Sequence, residues 1–143
     1  MIGVSPYLAA IVSALVLAQA LKYVILVLRK QKVDPLRQMY SSGNIPSAHS
    51  ASVVALLTIV GLIDGVESGL FGITLLFSVI VMYDAVMVRR SVGEQGKALH
   101  LLIRTMDKTG VLPRAALGHT PLELVAGALL GAAIGLVVFF ATK

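Results

Sequence analysis

The sequence has no cysteine and no tryptophan, and only 13% of its 143 residues are charged. Without cysteine there is no disulfide framework and no thiolate chemistry. Without tryptophan, any aromatic belt at a membrane interface rests on a few Tyr and Phe. The scarcity of charge excludes an ordinary water-soluble domain, in which about a quarter of residues are charged. With 57% of its residues apolar, so short a chain cannot bury them all against itself, whereas a bilayer accepts an apolar outer surface. No charge precedes Lys22. The N-terminus therefore lacks the basic region of a secretory signal, and its apolar run is too long for one. It reads as a retained first span.

Four apolar stretches are present: 4–28, 46–63, 69–88 and 115–142. A span needs ~20 residues at a rise of ~1.5 Å, so the second is marginal and fits a thinned or protein-lined region. The connections differ in sign. The first carries Arg29, Lys30, Lys32 and Arg37, and the third carries Arg89, Arg90, Lys97, Arg104, Lys108 and Arg114. The second is acidic, with Asp64 and Glu67. Positive connections favour the cytoplasm, which places both termini outside. The net charge of +5 flanks apolar spans rather than forming a tract. It suits anionic lipid headgroups or a phosphorylated substrate and gives no reason to expect nucleic acid. In the third connection Val92, Gln95, Leu99, Leu102 and Ile103 recur at near-helical spacing among Lys97 and Arg104, predicting an amphipathic interfacial helix. Gly110 and Pro113 then mark a turn. The expected fold is all-α: one domain over residues 1–143, a polytopic bundle of about four spans with an interfacial helix, in a cell or organelle inner membrane.

In the last span Gly127, Gly131 and Gly135 recur every four residues. Such a stripe admits close backbone approach, either by a span of the same chain or by a second copy in a homodimer.

The topology gathers unusual residues at one membrane face. Lys22 lies near the end of span one, His49 at the start of span two, Asp84, Arg89 and Arg90 at the end of span three, and Arg114, His119 and Glu123 at the start of span four. Ionisable residues in apolar spans are costly and usually functional. Each also has a plainer reading: Lys22 can snorkel, Arg89 and Arg90 can anchor the cytoplasmic side, and a histidine can cap a helix. The run from Ser42 to Ser50 reads as a loop entering a helix, with Asn44 as cap and Pro46 in the first turn. Its free amides, with the hydroxyls of Ser47 and Ser50, form an anion cradle. His119 follows Gly118 and precedes Pro121, so a second helix start faces the same point. His119 and Glu123, four apart, share a helix face. A carboxylate beside an imidazole fixes its tautomer and leaves the other nitrogen as a nucleophile. His49 could protonate a leaving alkoxide, and Lys22, Arg89, Arg90 and Arg114 could neutralise a transferring phosphoryl group. These parts suit phosphomonoester hydrolysis through a phosphohistidine. A metal site from His49, His119, Glu123 and Asp84 is disfavoured, because the surrounding cations repel a metal and no ligand spacing recommends it.

These residues resemble a known family. Pro46-Ser47-Ala48-His49 is similar to the Pro-Ser-Gly-His motif of the type 2 phosphatidic acid phosphatase superfamily, which includes acid phosphatases and vanadium haloperoxidases. Arg114 through Glu123 resembles its Ser-Arg-x5-His-x3-Asp motif, and Lys22-x6-Arg29 has the spacing of its first motif. The chain as a whole looks like a small divergent membrane branch of that superfamily. The features of that branch appear here as the run from Ser42 to Ala51, Tyr83 to Arg90, Gly93-Glu94-Gln95, and Gly118 to Glu123. The resemblance implies His119 as nucleophile, Glu123 as its orienting partner, His49 as general acid, and Ser47 with Lys22 as phosphate ligands. It implies no metal or organic cofactor. Position 48 is Ala rather than Gly, position 123 is Glu rather than Asp, and Lys30 follows Arg29 where the motif has Pro. Arg114 precedes His119 by one residue fewer than the motif requires, so Arg89 or Arg90, beside Asp84, is expected to supply the missing cation.

Two functions follow as expectations. One is a phosphatase acting on a lipid phosphate or diphosphate at the cytoplasmic face. The other is a non-enzymatic membrane protein that binds or flips phosphorylated headgroups or scaffolds a complex.

Overall fold

The structure is a computed structural model, and it describes residues 5–29, 45–106 and 118–143. Five α-helices are described: α1 (Pro6–Leu28), α2 (Ala48–Ile63), α3 (Gly69–Tyr83), α4 (Arg89–Met106) and α5 (Pro121–Thr142). Each of the four apolar helices begins at a residue the local chemistry selects. Pro6 and Pro121 open α1 and α5, where a missing N–H costs nothing. Ser47, Ser68 and Thr120 cap α2, α3 and α5 by accepting the amides of Ser50, Phe71 and Glu123. The expected cap, Asn44, lies outside the described residues. Ser47 is the cap of α2, and Pro46 precedes it rather than entering the first turn. A left-handed residue, Gly65 (φ 85°), lies in the short turn between α2 and α3.

α1, α5 and the continuous run Gly69–Met106 are long and apolar enough to cross a membrane. α2 has 16 residues, ~24 Å at 1.5 Å per residue, short of the ~30 Å hydrocarbon layer. The amphipathic helix is present as α4, but it is not a separate element. It continues from α3 through a π-helical turn at Asp84–Val88. Val92, Leu99 and Leu102 on its apolar stripe are each about half exposed.

The short helix α2 sits at the centre, with α1, α5 and α3 each packed on it, and α1 also touches α5. Lipid and helix surfaces are equally apolar, so span association depends on close packing rather than on expulsion of water. The chain supplies that with small residues. Ala10, Ala14 and Ala18 form a fully buried stripe on α1, in one cluster with Ala51, Ala55 and Ile59 of α2. On α5, a Cβ added at Gly127 or Gly131 would strike the carbonyl oxygens of Ser47 and Ala51, and one at Gly135 would lie 2.8 Å from Thr58 Cβ. The glycine stripe thus packs against α2 of the same chain. On its other side α2 meets α3, where Ser78 Oγ donates to Val53 O (3.3 Å) and to Thr74 O (2.8 Å). At the far end of the bundle Tyr7 donates to Asp64 Oδ2 (2.8 Å), joining the start of α1 to the end of α2. Because α1 and α2 run antiparallel, the opposite end brings Lys22 toward His49.

Candidate functional site

His119 is held from three directions. Its Nδ1 lies 2.9 Å from Glu123 Oε2. Its backbone N–H donates to the carbonyl of Ala85 in the π turn (3.0 Å), and its side chain is almost wholly buried. Glu123 Oε2 also accepts the Thr120 amide (3.1 Å) while Thr120 Oγ1 accepts the Glu123 amide (3.3 Å), closing a capping box. One carboxylate therefore both starts α5 and orients the imidazole. An ionised carboxylate can only accept, so Nδ1 carries the hydrogen and Nε2 of the neutral ring keeps its lone pair.

His49 stands across from it, with ring centroids 6.3 Å apart and planes inclined at 62°. It is exposed on the first turn of α2. Arg89, Lys22 and Asp84 lie near enough for their charges to act on it, with the His119 ring beside them.

Lys22 continues the α1 stripe of Ala10, Ala14 and Ala18 into the site and is 3% exposed. It is near enough to Glu123 for their charges to interact, yet makes no hydrogen bond or ion pair among the described residues. A buried ammonium is costly unless an anion lies near it, and Glu123 is one such anion.

The start of α2 is partly occupied. The Ser47 amide donates to Glu123 O (3.1 Å), and the Ser47 hydroxyl accepts from Ser50 N (3.4 Å) and Ser50 Oγ (3.1 Å). The first intrahelical bond runs from Ala51 N to Ser47 O, so the amides open to an anion narrow to those of Ala48 and His49. Ser47 and Ser50 are fully buried, and Ser47 acts first as the cap and as a tie between α2 and α5.

Arg89 and Arg90 diverge. Arg89 Nε pairs with Asp84 Oδ2 at 2.9 Å, and both line a cavity of ≈320 Å³ with His49, Ile80, Val81 and Ala85. Arg90 Nε pairs with Glu94 Oε1 at 3.3 Å, with both side chains largely exposed, an arrangement of small energetic value. Arg90 and Glu94 line a second cavity of ≈300 Å³ with Gly93, Lys97, Gly118, His119 and Thr120. The cation beside His49 is therefore Arg89. Gly118 is required by contact: a Cβ there would lie 2.8 Å from Arg90 Cα. Arg114 and Asn44 fall outside the described residues. Among the described residues no three His, Cys, Asp or Glu side chains cluster to hold a metal.

Two members of this site, Thr120 and Ala85, have no role in the sequence reading, and a third, Ser50, has a different one. Thr120 was readable, since Thr-x-x-Glu before an apolar run is a capping-box pattern. Ser50 was seen as an anion ligand and not as the buried partner of Ser47. Ala85 acts through its carbonyl, which no residue type announces.

A family model described as "Divergent PAP2 family" matches residues 4–134. The chain is also 36% identical over 143 positions to YuiD, an uncharacterized membrane protein of Bacillus subtilis (strain 168), with 90% of each chain covered. No solved structure matches the chain.

Proposed function

We propose that this chain, which belongs to the divergent PAP2 family, is a metal-independent phosphatase for a membrane-embedded phosphate monoester or diphosphate. The observation that carries the reading is the His119–Glu123 pair at 2.9 Å with His49 opposite it at 6.3 Å between centroids. His119 Nε2 attacks phosphorus and the bond to the leaving oxygen breaks. Protonated His49 delivers its proton to that oxygen, releasing the lipid alcohol or, from a diphosphate, the lipid monophosphate. Neutral His49 then takes a proton from water as the water attacks the phosphohistidine, freeing orthophosphate and restoring both imidazoles. Glu123 holds the His119 tautomer and stabilises the cation formed on it. Lys22 and Arg89 offset the charge on the phosphoryl oxygens, with the Ala48 and His49 amides. The lipid-facing setting of the His49 cavity, beside exposed Ile80, supports a substrate whose tail stays in the leaflet. The basic residues at this end support a cytoplasmic site.

A second reading is a headgroup binder without turnover. The capping-box role of Glu123 and the backbone anchoring of His119 favour it, because both would serve structure alone. Phosphate release by detergent-purified protein from phosphatidate, phosphatidylglycerophosphate and polyprenyl phosphates, with EDTA present and orthovanadate as competitor, separates the two. Vanadate-sensitive release that vanishes in His119→Ala supports the enzyme. Headgroup binding without release, retained in His119→Gln, supports the binder.

A further inference from the structure

The π turn between α3 and α4 meets the site through Asp84 and Ala85, and through Arg89 just past its end. In an α-helix successive residues turn ~100°, so residues five apart lie ~140° apart around the axis, away from the i+3 and i+4 positions that face one another. Here Asp84 and Arg89, five apart, pair at 2.9 Å, and the Arg89 N–H donates to Asp84 O, a five-residue backbone bond. The π turn brings the two onto one face. The widened register also shifts the next carbonyl. The Arg89 amide, which an α-helix would direct at Ala85 O, is engaged with Asp84 O, and Ala85 O receives the His119 N–H at 3.0 Å. The backbone around Arg90 lies so close to Gly118 that a Cβ at 118 would sit 2.8 Å from Arg90 Cα. Inserted π turns are enriched at functional sites.

We propose that the turn at Asp84–Val88 is the positioning element of the site: its freed Ala85 carbonyl fixes His119 relative to His49, and its Asp84–Arg89 clamp aims the guanidinium at the His49 cavity. The inference rests on the proposed phosphatase reading for its kinetic consequence and on geometry alone for its anchoring consequence. Ala85 and Asp84 act through other residues and touch no substrate.

Deletion of Val86 removes one residue from the turn and lets it close as an α-helix, whereas Val86→Ala keeps the length and removes the same side chain. Gly118→Ala keeps the turn and pushes the His119 segment off it. Hydrogen exchange at the His119 amide and steady-state kinetics on a lipid phosphate are measured for each folded, monodisperse protein. Wild type and Val86→Ala are expected to share a protected amide and the same kcat. Deletion of Val86 and Gly118→Ala are expected to speed exchange by about tenfold or more. They lower kcat by about 100-fold with KM little changed, the signature of a misplaced reacting group. If deletion of Val86 does not fold, Gly118→Ala against Val86→Ala carries the comparison. An amide that stays protected in both disrupted variants, or protection lost with kcat unchanged, overturns the inference. Should wild type release no phosphate from any substrate, it is the phosphatase reading that fails. The exchange contrast then decides the anchor: loss of protection upholds it and retention overturns it.

Discussion

α2 is gripped differently on its two sides. Toward α5 it presents backbone to backbone: Gly127 and Gly131 leave no room for a Cβ against the carbonyls of Ser47 and Ala51, and Ser47 N–H is tied to Glu123 O. Toward α3 it meets side chains, with Ser78 bridging to Val53 O. Near the site end of that side a cavity opens beside His49, reaching Ile80 and Val81. His119 and Glu123 lie on the tight side and His49 on the open one. A nucleophile must be aimed, and a leaving group must get out. The arrangement gives rigidity to the first and space to the second.

The contrast can be broken in order of expected effect. Gly131→Leu forces a branched side chain onto the Ala51 carbonyl, and overpacking at a site with no slack should cost more than about 3 kcal/mol. Folded, monodisperse protein should not be recovered, whereas Gly72→Leu on α3, where an added Cβ meets nothing within 4 Å, should be recovered normally. Glu123→Gln keeps the shape of the α5 capping box and removes the charge that supports the His119 cation. It should lower kcat by about 100-fold or more with secondary structure unchanged by circular dichroism. Lys22→Met should separate stability from function. Removal of a buried ammonium that has no ion pair among the described residues raises resistance to unfolding in detergent by about 1–3 kcal/mol, while vanadate binding and phosphate release are lost. Lower stability in Lys22→Met would mean that the ammonium has a structural partner. Ser78→Ala, on the open side, should cost only about 0.6 kcal/mol in the same unfolding titration, the usual value for an interhelical hydrogen bond in a membrane.

Much of this was readable from the chain. The apolar stretches located the helices, the sign of the connections brought Lys22, His49, Asp84 and His119 to one end, and the i, i+4 spacing joined His119 to Glu123. The start of α2 was misplaced because Asn44, Pro46 and Ser47 all carry N-terminal signals, and only the Ser47–Ser50 bond distinguishes them. The α1 stripe of Ala10, Ala14, Ala18 and Lys22 is regular in the sequence, but α1 also carries Ala9 and Ala20 on other faces, so composition alone does not single the stripe out. The π turn was illegible for a deeper reason. One extra residue in a helix leaves composition and hydropathy unchanged, and it shows only when Asp84 is seen to reach Arg89. Arg89 and Arg90 are alike in the sequence, and the phase set by that turn sends them to different cavities.

The central claim is a phosphoryl group carried by His119. The direct measurement is trapping it: His49→Ala protein is mixed with an aryl phosphate, whose leaving group needs no proton, and the phosphoprotein is mapped by mass spectrometry. The account predicts an acid-labile, alkali-stable label on His119 that accumulates because the second step lacks its base, and no label in the His49→Ala/His119→Ala protein. Phosphate released at the wild-type rate with no label at His119, or a label carried by a serine or carboxylate, would contradict it.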